Sequence, residues 1–200
     1  MRYINRWSLM QCFRNENLTE HSLETALIAY ALAVIENEKF GGSVNEERTA
    51  LVAMLHDAPE ILTGDLPTPV KHGSTTVEIA YAGIETEAKH LLVEMSPDYM
   101  KSRIDGILNE EDEKITALVK AADKISAHLK CLDELKMGNP EFNDAAVSTY
   151  NVIEGLNCPA ADEFLRVFTD GFKLTLDGLK DTTERSLNLP CSSFGLTENR

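Results

Sequence analysis

Apolar residues recur at three- and four-residue spacing through nearly the whole chain, and no stretch of strict alternation persists anywhere. That period belongs to one face of an α-helix; a half-buried strand would show a period of two. Leu23, Leu27, Ala31 and Val34 mark a first helix from residue 19 to about residue 36, with Thr19 as its N-cap. A second starts after Gly41-Gly42, capped by Ser43 or Asn45, with Glu46 and Glu47 in its first turn. Its stripe is Leu51, Leu55, Ala58 and Leu62. The run Gly64-Asp65-Leu66-Pro67-Thr68-Pro69 cannot continue that helix and reads as an ordered loop.

Helical spacing returns over residues 76–95 (Val77, Ala80, Ile84, Ala88, Leu91, Met95). It returns again over residues 110–136 (Ile115, Leu118, Ala122, Ile125, Leu129, Leu132), until Gly138-Asn139-Pro140 ends it. A shorter helix is expected over residues 143–154, and a last one over residues 159–179 through Phe164, Phe168 and Leu176. The fold class is therefore all-α. One domain is expected over residues 1–180, since 200 residues suit a single hydrophobic core, followed by a polar, flexible tail at 181–200.

A net charge of −14 argues against a nucleic-acid polymer as partner, because polyanion binding depends on clustered Lys and Arg. A small anionic substrate stays open, since a divalent ion and a few cations can reverse the local potential. No apolar run approaches the roughly 20 residues of a membrane span, and the N-terminus lacks the apolar core of a secretory signal. No membrane partner is expected, and the cytoplasm is the expected compartment. Cys12, Cys131, Cys158 and Cys191 are scattered without a CxxC pair and read as reduced structural residues.

Polar residues sit where the helical pattern calls for apolar ones. His56 and Asp57 adjoin the stripe of Leu51, Leu55 and Ala58, and Glu60 follows one turn later. An ionised carboxylate buried without a partner costs several kcal/mol, which a metal ion offsets. His21 falls in the first turn of its helix, and Asp123 interrupts the long helix on the stripe of Val119 and Ser126. Imidazole nitrogen with carboxylate oxygen suits a borderline or hard divalent ion. Each position taken alone also fits a surface residue or a satisfied core histidine. His72, His90 and His128 stand in no motif and are expected to face solvent.

A lone His, a His-Asp pair on the next helix and a lone Asp on a later helix resemble the ordered signature of HD-domain phosphohydrolases. The surrounding segments add to it: Ile4-Asn5-Arg6-Trp7-Ser8-Leu9-Met10, Asn17-Leu18-Thr19-Glu20-His21-Ser22, His56-Asp57-Ala58-Pro59-Glu60, and Thr63-Gly64-Asp65-Leu66-Pro67-Thr68-Pro69-Val70-Lys71. With Leu118-Val119-Lys120-Ala121-Ala122-Asp123 and Leu129-Lys130-Cys131-Leu132, they resemble the bacterial 5′-deoxynucleotidases among these enzymes, over residues 4–178. Two departures stand out. The chain begins almost at the Arg-Trp motif, where the family usually has a further helical segment, and Pro59 replaces a small polar residue.

The resemblance implies an HD-domain bundle of about six or more helices. It implies one divalent ion per subunit on His21, His56, Asp57 and Asp123; the ligand set favours Co or Mn, with Mg, Fe, Zn and Cu as further candidates. It further implies hydrolysis of deoxyribonucleoside 5′-monophosphates by a metal-activated water, and a homodimer. Glu60 would orient the water or act as general acid–base, or else hold His56 as a neighbouring carboxylate. Arg6 and Trp7 would contact substrate, or else anchor the N-terminus. Asp65 would bind the deoxyribose hydroxyl, or else serve its own turn. Lys71 and Lys120 are phosphate-side cations or solvated surface charges. The alternatives are release of triphosphate from deoxynucleoside triphosphates at the same site, and a nucleotide-binding domain without turnover.

Overall fold

The computed structural model describes residues 1–71 and 73–178. Among them it forms α1 (Leu18–Phe40), α2 (Glu46–Leu55), α3 (Glu60–Thr63), α4 (Thr68–Lys71), α5 (Thr75–Glu94), α6 (Asp98–Leu108), α7 (Glu113–Lys136), α8 (Asn143–Gly155) and α9 (Pro159–Lys173). A 3₁₀ turn, Pro140–Phe142, precedes α8. No strand occurs among the described residues; Asn5 and Asn17 form an isolated antiparallel bridge. One compact unit spans Met1–Phe164, and a second starts at Leu165 within α9. The expected tail at 181–200 lies outside the described residues.

α1 is the central element of the first unit and packs against α2 and α7. Its N-cap is Asn17 rather than Thr19: the Asn17 side chain accepts from Thr19 and Glu20 N–H groups, and Glu20 reaches back to complete a capping box. Gly41, at φ +71, closes the other end in the left-handed conformation and donates to the Glu36 carbonyl. The length of α1 and its hydropathy of 1.2 would suit a membrane span, yet here half of that stretch is buried inside the fold.

The buried face of α1 is not the expected stripe. Leu23 and Leu27 are 54% and 66% exposed, whereas Leu18, Ala29, Leu32 and Ala33 are fully buried. α1 is apolar on nearly every side, so three- and four-residue spacing selects more than one face. The small residues Ala26, Ala29 and Ala33 mark the side where neighbouring helices approach. The α5 stripe mostly fails for a related reason: Ala88 is buried as expected, but Val77, Ile84, Leu91 and Met95 are exposed, and Tyr81 and Val93 are buried instead. α7 follows its expected stripe, with Ile115, Leu118, Ala122, Ile125 and Leu129 all buried. Each large apolar side chain buried there contributes roughly 1.5–3 kcal/mol.

α2 ends at Leu55, before the expected stripe reaches Leu62, which is 45% exposed. Pro59 has no N–H, and its ring would clash with the Leu55 carbonyl four residues back. The buried residues of α2 are Thr49, Val52 and Ala53. After the break, Ala58 joins Val93 and Leu108 in a small core that ties α5 and α6 to the end of α2. α6 was not expected from the sequence; of its apolar residues only Leu108 is buried, with Ile104 packed against the same small core.

A buried polar node secures the N-terminal segment to α7. The fully buried Glu134 carboxylate meets Lys130 Nζ at 2.5 Å. It also accepts from the backbone N–H of Phe13 at 2.9 Å, that of Arg14 at 3.1 Å, and Asn139 Nδ2 at 2.9 Å. Lys130 donates in turn to the Arg14 carbonyl, and Asn139 to the Gln11 carbonyl at 2.7 Å. Burial would raise the Glu134 pKa, but these donors outweigh it and bring the carboxyl down to about 2. Trp7, Met10 and Cys12 pack on an adjoining core of Cys131, Phe142 and Ala146. His128 is also buried, contrary to expectation; its Nδ1 pairs with Thr149 at 3.0 Å and its ring packs on Tyr150.

Candidate metal centre

The break at the end of α2 turns His56 and Asp57 toward α1 and α7, where His21 and Asp123 lie. His56 Nε2 stands 3.1 Å from Asp57 Oδ2 and 3.8 Å from Asp123 Oδ1. His21 Nε2 stands 3.5 Å from Asp57 Oδ2 and 3.1 Å from Asp123 Oδ1. One ligand atom from each of these residues falls within 4.8 Å of all the others. Ligands about 2.1 Å from a common ion lie roughly 3.0–3.4 Å apart at octahedral or tetrahedral angles, so these separations approach the edges of a coordination polyhedron.

The ring nitrogens fit the same reading. His56 Nδ1 points at the Ala53 carbonyl at 2.6 Å, which can only accept, so Nδ1 keeps a proton and Nε2 is the nitrogen that would give its lone pair to an ion. His56 Nε2 is buried without a hydrogen-bond partner. His21 Nδ1 pairs with Ser126 Oγ at 3.1 Å, which leaves Nε2 inward. Two imidazole nitrogens and two carboxylates form a donor set able to hold a divalent cation. His21 is fully buried, whereas His56, Asp57 and Asp123 keep 15–19% of their side chains exposed, so the group opens to solvent on one side.

Electrostatics of the site without a cation show what a cation would replace. Burial alone lowers the His56 pKa, but Asp57 and Asp123 overcome it and push it up to about 10. For Asp57, burial raises the pKa and the partners win, with His56 foremost; for Asp123, burial is likewise overcome, with His21 foremost, and both carboxyls fall well below their usual range. Lys124 adds a cation 2.9 Å from Asp123 Oδ2.

Glu60 opens α3, is buried, and keeps Oε2 without a partner. Burial, followed by the charges of Asp57 and Asp65, pushes its pKa up to about 8. Asp65 sits half-buried beyond Gly64, whose φ of +73 directs the chain out of α3. Its pKa is also raised, first by burial and then by Asp57, against the pull of Arg6.

Arg6 reaches the group from the N-terminal segment, held by the Asn5–Asn17 bridge and by its own N–H on the Glu16 carbonyl at 3.0 Å. Its Nη1 stands 3.4 Å from Asp57 Oδ2 and its Nε 3.7 Å from Glu16 Oε2. Trp7, at φ +59, donates its indole N–H to Glu16 Oε2 at 3.1 Å and packs on Phe142 with ring centroids 5.3 Å apart. The indole is thus anchored.

Lys71 lies near the Glu60 side, with Nζ 2.7 Å from Glu85 Oε1 and 4.6 Å from the Tyr81 ring centre. Lys120 is exposed on α7 and is not brought into the group; Lys124 is the α7 lysine that meets it. Reading the sequence missed Lys124, Glu16 and Ser126. Ser126 had a signal, lying one turn after Asp123 on a buried face, but Glu16 precedes the first helix and had none.

The helical bundle around this cluster has the fold of the HD-domain phosphohydrolases. An HD-domain phosphohydrolase from Listeria innocua shares the fold with a TM-score of 0.74 at 21% identity, covering 93% of both chains. Another, DatZ of cyanophage S-2L, solved bound to dA and one catalytic Zn²⁺ ion, has a TM-score of 0.62 at 20% identity, covering 87% of this chain and 93% of its own. The 5′-deoxynucleotidase YfbR-like family model matches residues 1–172, and the chain belongs to that family. Among its curated relatives is the 5′-deoxynucleotidase YfbR of Salmonella paratyphi B, 46% identical over 179 residues, which are 88% of this chain and 90% of the relative. The YfbR of Salmonella newport matches to the same extent.

Proposed function

We propose that this chain is a metal-dependent 5′-deoxynucleotidase, hydrolysing deoxyribonucleoside 5′-monophosphates to deoxyribonucleosides and phosphate, with its ion on His21, His56, Asp57 and Asp123. The observation that carries this reading is the convergence of those ligand atoms within 4.8 Å, in a member of the YfbR-like family. The dA and catalytic Zn²⁺ bound to DatZ support a deoxynucleoside and a divalent ion as occupants of such a site.

When bound, the ion supplies Lewis acidity toward a phosphoryl oxygen and lowers the pKa of a water. Arg6 then offers its planar fork to the phosphoryl oxygens, as it already faces Asp57. Glu60 takes a proton from the attacking water or gives one to the departing 5′-oxygen, a role suited to a buried carboxyl tuned toward neutrality. Asp65 accepts from a deoxyribose hydroxyl, and Trp7 limits room beside the sugar. Lys71, on the Glu60 side, serves as an outer cation that draws the phosphate in, whereas Lys120 is left as a solvated surface charge. Co²⁺ or Mn²⁺ suits the mixed donor set, with Mg²⁺, Fe²⁺, Zn²⁺ and Cu²⁺ as competitors.

A cytoplasmic homodimer completes the proposal. The exposed Leu23, Leu27 and Tyr30 of α1 give association an apolar surface. A dimer mass by light scattering at micromolar concentration is expected, and a monomer mass would refute that part. The function is tested by a metal-supplemented screen of deoxy- and ribonucleoside mono- and triphosphates. Phosphate release from deoxyribonucleoside monophosphates is expected. Tripolyphosphate released from dATP, with dAMP untouched, would replace the proposal with the triphosphohydrolase reading.

A further inference from the structure

The two histidines of the site are fixed by different means. His56 leans on a backbone carbonyl, an obligate acceptor that allows only the Nδ1–H tautomer. His21 leans on the Ser126 hydroxyl, which can either donate or accept, so Ser126 alone does not decide where the His21 proton sits. The missing instruction comes from α1 itself. Glu24, one turn beyond His21, takes the Ser126 Oγ–H at 2.6 Å on Oε2, the length of a charge-assisted bond.

We infer that Glu24 and Ser126 form a relay of positioning residues that holds His21 with its proton on Nδ1 and its Nε2 lone pair directed into the metal centre. The hydroxyl has one hydrogen. With that hydrogen committed to the Glu24 carboxylate, Oγ faces His21 as an acceptor, and Nδ1 must donate. The other carboxylate near Nδ1, Glu16 Oε1 at 3.7 Å, is too far for a hydrogen bond, and its Oε2 already takes the Trp7 indole N–H. Ser126 is fully buried, so in the intact fold its hydroxyl, not bulk water, is what faces Nδ1. Thr25 Oγ1, 3.4 Å from His21 Nε2, makes a long contact on the side where the ion would compete. Metal-bound histidines generally depend on such an acceptor behind the second nitrogen, and losing it weakens the metal 10- to 100-fold.

This inference rests on the proposed metal site, and one titration separates the two. Co²⁺ binding to metal-stripped protein is measured by calorimetry for the wild type, Ser126→Ala and Glu24→Gln. The wild type should bind one ion. Ser126→Ala should bind it about 10- to 100-fold more weakly. Glu24→Gln should also bind more weakly, because its amide can donate to Oγ and let the hydroxyl turn its hydrogen toward Nδ1. Glu24→Gln keeps the side-chain shape at a half-buried position, so it stays informative if Ser126→Ala does not fold. In the folded variants, saturating Co²⁺ should restore most of kcat while the half-saturating metal concentration stays raised, a split that general loss of structure would not produce. Wild-type protein that takes up no ion would sink the metal site itself. Wild-type binding matched within twofold by both variants would overturn the relay alone.

Discussion

Replacing Glu134 with alanine would remove the carboxylate that joins the N-terminal segment to α7. The side chain is fully buried and serves Lys130, Asn139 and the N–H groups of Phe13 and Arg14. Each orphaned donor costs about 1–3 kcal/mol, but the group relaxes as a unit, so the separate costs do not add. Removing one partner of a buried ion pair costs about 3–5 kcal/mol, which is the expected loss here. For a chain of this size each kcal/mol lowers Tm by roughly 2–4 °C, so calorimetry should record a fall of about 10 °C.

The sign of the pH dependence follows from the lowered pKa. Glu134 has a folded-state pKa of about 2 against an ordinary 4.5, so its stabilisation is complete above 4.5 and is lost as pH falls toward 2. The stability gap between wild type and Glu134→Gln, measured by urea unfolding, should therefore be constant above pH 5 and shrink below it. Activity should fall in Glu134→Ala even well below its Tm, because Arg6 and Trp7 depend on the segment it secures. A Tm within 2 °C of wild type, with activity unchanged, would refute the reasoning.

Further outcomes are expected elsewhere. Gly64→Ala forces a Cβ into φ +73, where nothing blocks it sterically but the backbone conformation is costly; a loss of about 1–3 kcal/mol and a raised KM through displaced Asp65 should appear in unfolding and kinetics. Glu60→Gln keeps the shape of a buried side chain with an unpartnered oxygen; kcat for dAMP should drop about 10²–10⁴-fold while Co²⁺ binding stays intact, and weakened metal binding would mark Glu60 as a support for His56 instead. Asp123→Asn should lower metal affinity by more than 100-fold in the same titration, whereas unchanged affinity would remove Asp123 from the ligand set.

Much of the fold was legible because its helices end on strong signals. Gly41, Asn45 and Gly138-Asn139-Pro140 bound α1, α2 and α7 near where they were expected. Which face is buried was legible for α7, whose polar side is unambiguous, but not for α1 or α5, where apolar residues surround the axis. The candidate ligands could be read because a His-Asp pair beside a proline break is costly unless something binds it. Their supports were harder to see. Glu134 and Glu24 look like ordinary surface glutamates in helical sequence, and only the packing of α7 against the N-terminal segment and α1 gives them partners.

The central claim is most directly tested by phosphate release from dAMP, followed in metal-stripped protein before and after addition of Mn²⁺ or Co²⁺. The stripped protein should be inactive, and activity should return in proportion to one bound ion per chain. Ca²⁺, which prefers an all-oxygen shell, should restore it poorly. Full phosphate release from the stripped protein, or restoration by Ca²⁺ alone, would contradict the account.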